Sequence, residues 1–398
     1  MKSRKYKPPK RYRKRFSFKT SKWGPHIQLG IVVLCVVLLL LFIVYVALPK
    51  LLPLIGVDYH APFVPTPTPA PTAPPTPTPH PMAYFNINEE QQEVMFSDYT
   101  SYRWFADPYF YNDKLIFAAG RLIGTDVEMQ KLIMYEPDTR VGETLSYAAV
   151  NDHLLFPRFN SEWLVYFDAH KNGGGNIMAC SMKNGYGEAV LIKEVFTGQP
   201  ELMLDGKYLA WIERTGSRMD KLFVCDLESR ETAVVQMFSN SIYGQSLPSL
   251  RDGLLVWADA GDVVDGEEVN STIYSIAMTQ STVSTFKAPG YVHDPECVDG
   301  NWAWLDAHHS EDTKLYYMHS GTQAKVIAEG VVEFGMEADF LAYTKDEALW
   351  VYIFETDETY RVTPEHEKAQ FLGVSDNKVI WMDVTSRERD IMKFVEIP

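Results

Sequence analysis

Five carboxylates recur at one spacing. Asp168, Glu213, Asp259, Asp306 and Asp383 each stand two positions after an aromatic residue: Tyr166, Trp211, Trp257, Trp304 and Trp381. Residues two apart in a strand share a face, so these acids could converge on a cation or a basic ligand. The expected role is structural instead: each carboxylate accepts backbone N–H bonds from the loop it opens and fixes that turn. The longest such loop runs Asp259-Ala260-Gly261-Asp262-Val263-Val264-Asp265-Gly266-Glu267-Glu268. Its oxygen density suits Ca²⁺, but its acids lack EF-hand spacing, so a solvated acidic loop is expected and no metal or cofactor is assigned. His308 and His309 follow Asp306, and His293-Asp294-Pro295-Glu296 lies just upstream. Histidines beside carboxylates can ligate zinc or exchange protons. Adjacent histidines point apart, however, and this loop reads as exposed. Asn172-Gly173-Gly174-Gly175-Asn176 opens no helix and reads as a hairpin tip, not a phosphate loop. The chain has no G-x-S-x-G nucleophile elbow, and no catalytic residue is assigned.

The elements that carry these residues form a repeat. Short β-rich runs are centred on an aromatic, as in Trp163-Leu164-Val165-Tyr166, Tyr208-Leu209-Ala210-Trp211 and Leu254-Leu255-Val256-Trp257. The anchor aromatics fall at Phe117, Tyr166, Trp211, Trp257, Trp304, Tyr343 and Trp381, at steps of 38 to 49 residues. A polar loop and a second apolar run follow each anchor, beginning at Leu132, Ile177, Leu222, Ile273, Leu315, Leu349 and Ile391. A third short run comes next, and a segment closed by turns such as Asp252-Gly253 or Asp299-Gly300 precedes each anchor. Four strands in about 45 residues make one blade of a β-propeller.

The seventh repeat ends at Pro398, too soon for an outer strand, while Tyr84–Phe96 is a surplus strand candidate at the other end. The predicted fold is therefore all-β: a seven-bladed propeller of four-stranded blades, closed when that N-terminal strand completes the last blade. Closure removes an open sheet edge.

The phrases Asp205-Gly206-Lys207-Tyr208-Leu209-Ala210-Trp211 and Lys221-Leu222-Phe223-Val224-Cys225-Asp226-Leu227 resemble the repeats of TolB-like propellers, which also occur in prolyl oligopeptidases. Weaker copies stand at Asp252–Trp257 and Asp299–Trp304. The resemblance implies a binding or assembly module. Seven anchors depart from the six blades usual for TolB.

Upstream of the repeats the composition changes. Residues 1–28 form a basic tail, with eleven Lys/Arg and no acid in its first 26 positions. Leu29–Leu48 is uncharged and apolar, about 30 Å as a helix, and is expected to be an uncleaved signal-anchor in the lipid bilayer. The basic flank places the N-terminus in the cytoplasm of a single-pass cell-membrane protein, with the bulk outside. Residues 49–83 are a linker whose positions 61–82 include ten prolines, expected to be a stiff polyproline spacer. The propeller occupies 84–398.

Of the four cysteines, Cys35 lies in the apolar run and none has C-x-x-C spacing. Cys180, Cys225 and Cys297 read as buried thiols, with a Cys180–Cys225 bridge left open. Residues 59–398 hold 25 basic and 51 acidic residues, a net −26, which argues against nucleic acid as a partner of the propeller. The expected function is recognition or assembly, with a protein, peptide or glycan bound where the loops between second and third strands gather. Arg214, Arg218, Asp262, Asp265, His308 and His309 are the expected contacts. The alternative is an enzyme of lyase, glycosidase or cyclase type, which requires acid/base groups with perturbed pKa values converging in the axial funnel.

Overall fold

The computed structural model describes residues 24–44, 82, 86–87, 89–147, 149–214, 219–239, 246–259, 270–306, 313–386 and 391–398. Two compact units, Met1–Thr78 and Pro79–Pro398, divide the chain.

In the first unit a helix spans Gly24–Phe42. Pro25 sits in its first turn, where a missing N–H costs no bond. From Val33 to Ile43 every side chain is exposed. Among the described residues no helix is long and apolar enough to cross a membrane. The expected span 29–48 is thus not supported as a complete transmembrane helix. The helix starts earlier, on Gly24, Pro25 and His26, and ends at Phe42, while 45–48 lie outside the described residues.

The second unit is all-β. Seven sheets of four antiparallel strands follow one another in chain order, each running from first strand to outer strand. First strands of successive blades touch, and that of blade 7 touches that of blade 1, so the ring closes. Each anchor aromatic lies on the second strand of its blade, and all seven are buried. A second strand is covered on both faces by neighbouring blades. In blade 2, Leu164 and Tyr166 pack toward blade 1, while Val165 and Phe167 pack toward blade 3. Burial on both sides replaces polar alternation with a continuous apolar run.

Tight turns join first strands to second ones. Asp252-Gly253 (φ 51° and 68°) and Asp299-Gly300 (47° and 75°) are left-handed at both positions, as two-residue type I′ hairpins require. Asn112-Asp113 and Asp376-Asn377 do the same in blades 1 and 7.

Blade 7 takes its outer strand from the N-terminal side of the domain, as expected, but that strand is only Gln92–Glu93, opposite Phe394 and Lys393. A turn in which the Glu89 and Glu90 amides donate to the Asn86 carbonyl delays the strand predicted over Tyr84–Phe96 until Gln92. The rest of the segment acts through side chains. Ile87 is buried against blades 6 and 7, and Gln91 donates to the Val362 carbonyl of blade 6 at 2.8 Å. Val94, Phe96, Tyr99 and Tyr102 are buried between blades 7 and 1. Phe96 lies against the rings of Tyr99, Phe117 and Tyr135. The outer strand of blade 1 admits it through Gly142, where a Cβ would meet the Phe96 ring at 2.6 Å.

Cys180, Cys225 and Cys297 are buried free thiols, so the Cys180–Cys225 bridge does not form. Their burial pushes the Cys297 thiol up to about 12.

Truncating Phe96 should open the blade 7–blade 1 junction. Phe96→Ala is expected to lower the unfolding free energy by about 3–5 kcal/mol in urea titrations. A loss below about 1 kcal/mol would show that the strap does not hold the ring.

Candidate functional site

The five spaced carboxylates do not meet at the axis. Asp168 accepts the Val150 and Asn151 amides at 3.2 and 3.1 Å. Asp306 accepts the Tyr291 amide at 2.8 Å. It rests on Gly290 (φ 81°), where a Cβ would lie 2.4 Å from the carboxylate carbon. Asp383 accepts the Thr385 amide at 3.0 Å and pairs with Lys393 at 2.8 Å. Only Asp383 fixes the loop it opens, as expected; Asp168 and Asp306 hold backbone in the segments that enter blades 2 and 5 instead. Glu213 differs: its Oε2 is buried without a partner. Asp259 has its carboxyl raised by burial.

Other residues line the axis. A cavity of about 500 Å³ is walled by the first strands, or the segments leading into them, of all seven blades. Five of these carry a proline: Asp107-Pro108-Tyr109, Phe156-Pro157-Arg158, Gln199-Pro200-Glu201, Leu247-Pro248-Ser249 and Asp294-Pro295-Glu296. In blades 1, 2 and 5 the proline sits in a β-bulge whose preceding residue is left-handed: Asp107 (φ 53°), Phe156 (50°) and Asp294 (51°). A bulge re-aims the side chains around it. The residue after each proline lines the cavity, which places Tyr109, Arg158, Glu201, Ser249 and Glu296 there.

Several charges that line this channel are compensated within it. Arg251 ends the first strand of blade 4, pairs with Glu337 Oε1 at 2.6 Å and donates to the Met336 carbonyl. Glu296 Oε2 accepts the Met336 amide at 3.1 Å. Arg158 pairs with Glu201 at 3.3 Å, and its guanidinium lies 5.2 Å from the Tyr109 ring centre. Asp107 accepts the Phe156 amide at 2.9 Å, tying blade 1 to blade 2.

Glu201, Asp294 and Glu333 each stand near where the first strand of their blade begins. The only cation paired with any of them, among the described residues, is Arg158. Asp294 accepts the Leu247 amide at 2.7 Å. Burial drives these acids upward: Asp294 to about 6, Glu296 to about 7, with Glu201, Asp107 and Glu333 raised as well. After burial, the charges of Asp294 and Glu201 add to the rise at Glu333.

Of the expected contacts, Arg214 alone is described. It lines a second cavity of about 230 Å³ with Thr197, Gly198 and Ile212, and this cavity shares Glu201 and Leu247 with the axial one. Arg218, Asp262, Asp265, His308 and His309 lie outside the described residues. His293 is partly buried, with its imidazole pKa lowered by burial. Asp294, Pro295 and Glu296 of that tetrapeptide line the axial cavity. Among the described residues no group of three or more His, Cys, Asp or Glu could hold a metal ion. A sequence signal for the axial residues exists: a proline nine positions before the anchor in blades 1, 2, 4 and 5, and eleven before it in blade 3.

No family model and no curated protein matches the chain, so the likeness to TolB-like repeats is not confirmed as membership. Solved propellers do match. The propeller domain of the trilobed protease from Pyrococcus furiosus, described as having an open velcro topology, superposes with a TM-score of 0.56 at 12% identity over 74% of this chain and 93% of that one. An acylaminoacyl peptidase bound to a chloromethyl ketone gives 0.53 at 12%, over 72% and 50%. The Pyrococcus horikoshii acylaminoacyl peptidase gives 0.53 at 11%, over 73% and 51%. The chain spans about half the length of the two peptidases. At these identities the likeness shows the fold.

The raised acids have a pH signature. Between the unfolded carboxylate range and about 6 to 7, the unfolded chain loses protons that folded Asp294 and Glu296 keep, so their contribution to stability falls as pH rises. Asp294→Asn with Glu296→Gln should flatten the decline in stability between about pH 4 and 7. An unchanged slope would contradict the burial assigned to them.

Proposed function

We propose that this protein is a membrane-anchored extracytoplasmic recognition module whose propeller binds a protein or peptide on the face that carries the second-to-third-strand loops. The observation behind this reading is the axial cavity, which reaches that face among exposed apolar side chains. Val150, Phe196, Leu247 and Val332, in the segments where chain enters blades 2, 3, 4 and 6, are exposed there, Phe196 at 75%. Polar groups in a concave site rimmed by apolar surface are what recognition of a flexible ligand requires. Anchoring is proposed from the uncharged run 29–48 behind eleven basic residues and from the exposed side chains of Val33–Ile43. The net charge of −26 over 59–398 disfavours nucleic acid.

A second reading has its own support. Glu296, raised to about 7, and Asp294, raised to about 6, share one cavity, as an acid/base catalyst near neutral pH requires. Turnover of a glycan or peptide by the full-length protein, lost in Glu296→Gln, would favour an enzyme.

Photo-crosslinking amino acids placed at Phe196 and Val332 in the full-length protein should give partner adducts in its native membranes. The same probes at Val141 and Val234, on the exposed outer strands of blades 1 and 3, should give none. Adducts from the outer strands alone would move the interface off this face.

A further inference from the structure

The carboxylates near the starts of the first strands lack the full compensation that Arg251 and Glu337 give each other. Glu201, Asp294 and Glu333 come from three blades and line one cavity. Arg158 answers Glu201 alone, Asp294 has a backbone amide, and Glu333 makes no hydrogen bond or ion pair among the described residues. Tyr109 also lines the cavity, and its hydroxyl makes no hydrogen bond among the described residues, with its phenol raised by burial. Three carboxylates gathered in a partly desolvated site with one cation among them are costly unless a partner supplies more. The site is also shaped for more than an ion. Its 500 Å³ falls within the range of organic-ligand pockets; Leu247 lines it, and exposed Val332 and Phe196 adjoin Glu333 and Thr197 of the axial and second cavities.

We propose that the mouth formed by Glu201, Asp294 and Glu333 receives an organic cation, an ammonium or guanidinium group carried on a peptide segment laid across this face. The inference rests on the recognition reading above and names the chemistry of its ligand. The carboxylates accept the cation's N–H bonds, the charge-assisted kind that are the stronger ones. The apolar rim takes the aliphatic stem or a neighbouring side chain, since lysine and arginine bury their methylenes while their heads stay polar. Tyr109 offers one donor and one acceptor in the same cavity. Arg251 and Arg158, committed to Glu337 and Glu201, leave no strong anion site to attract an acidic peptide instead.

The test pans a random dodecapeptide library on the full-length protein in detergent. The counter-target is the triple variant Glu201→Gln, Asp294→Asn, Glu333→Gln, and the exposed single variant Glu333→Gln stands in if the triple variant misfolds. Peptides selected on the wild type should be enriched in lysine or arginine, or should need a free N-terminus. They should bind the triple variant at least about tenfold more weakly and the single variant about threefold more weakly. Synthesis with free and acetylated N-termini separates the two sources of the cation. Peptides that bind the variants within twofold of wild type but are lost in Phe196→Asp would overturn the cation while keeping the face. Peptides indifferent to all these changes would overturn both, as would recovery of none. Calcium binding measured by calorimetry, abolished in the triple variant and displacing the peptides, would overturn the organic cation in favour of a metal.

Discussion

The architecture depends on how the ring is fastened. A two-residue ladder at Gln92–Glu93 is too short to hold seven sheets in a circle by backbone hydrogen bonds. Burial of Val94, Phe96, Tyr99 and Tyr102 between the first and last blades supplies the larger share, because each buried aromatic removes far more apolar surface from water than two residues of ladder do. Gly142 marks how close that contact is: the outer strand of blade 1 gives up a side chain to admit one from the strap. The segment before it reaches blade 6 through Gln91 and Ile87, so the fastening spans three blades.

Ring closure determines what stands at the axis. First strands of successive blades touch around the ring, and side chains from blades 3, 5 and 6 share one cavity only if every intervening wedge is in place. Within that cavity the charges are unevenly compensated. Arg251 and Glu337 neutralise each other, while Glu201, Asp294 and Glu333 are gathered with a single cation between them. Stability alone does not favour such a gathering, since like charges drawn together in a partly desolvated site raise one another's pKa. Binding is the compensation proposed here, and the same electrostatics would serve a general acid in the enzyme reading.

How much was legible in the sequence follows from where each strand sits. Second strands are buried on both faces, so Leu164-Val165-Tyr166-Phe167 and its six counterparts appear as apolar runs with an aromatic anchor, and the blade count follows from them. First strands border the axial cavity, and in blades 3 and 4 they are three residues long, too short to show a period. Their mark is the proline of the bulge, which reads like an ordinary turn until its distance to the anchor is measured. Attention to the carboxylates after the anchors therefore found backbone-fixing groups such as Asp168 and Asp306. The axial acids after or beside Pro200 and Pro295 carry no comparable spacing signal, and in His293-Asp294-Pro295-Glu296 the histidine is the more conspicuous residue. The short closing strand was overestimated because Tyr84–Phe96 has strand-like residues but turns at Asn86. The helix boundary was misjudged because hydropathy marks the apolar run, whereas the helix also takes in the polar residues ahead of it.

Hydrogen–deuterium exchange of the full-length protein addresses the fastening most directly. Peptides covering 91–97 should be protected to the same extent as those covering 391–398, and Phe96→Ala should release both together as one cooperative unit. Free exchange of 91–97 beside a protected 391–398 would mean that the ring is held some other way, and the account of the axis built on its closure would fail.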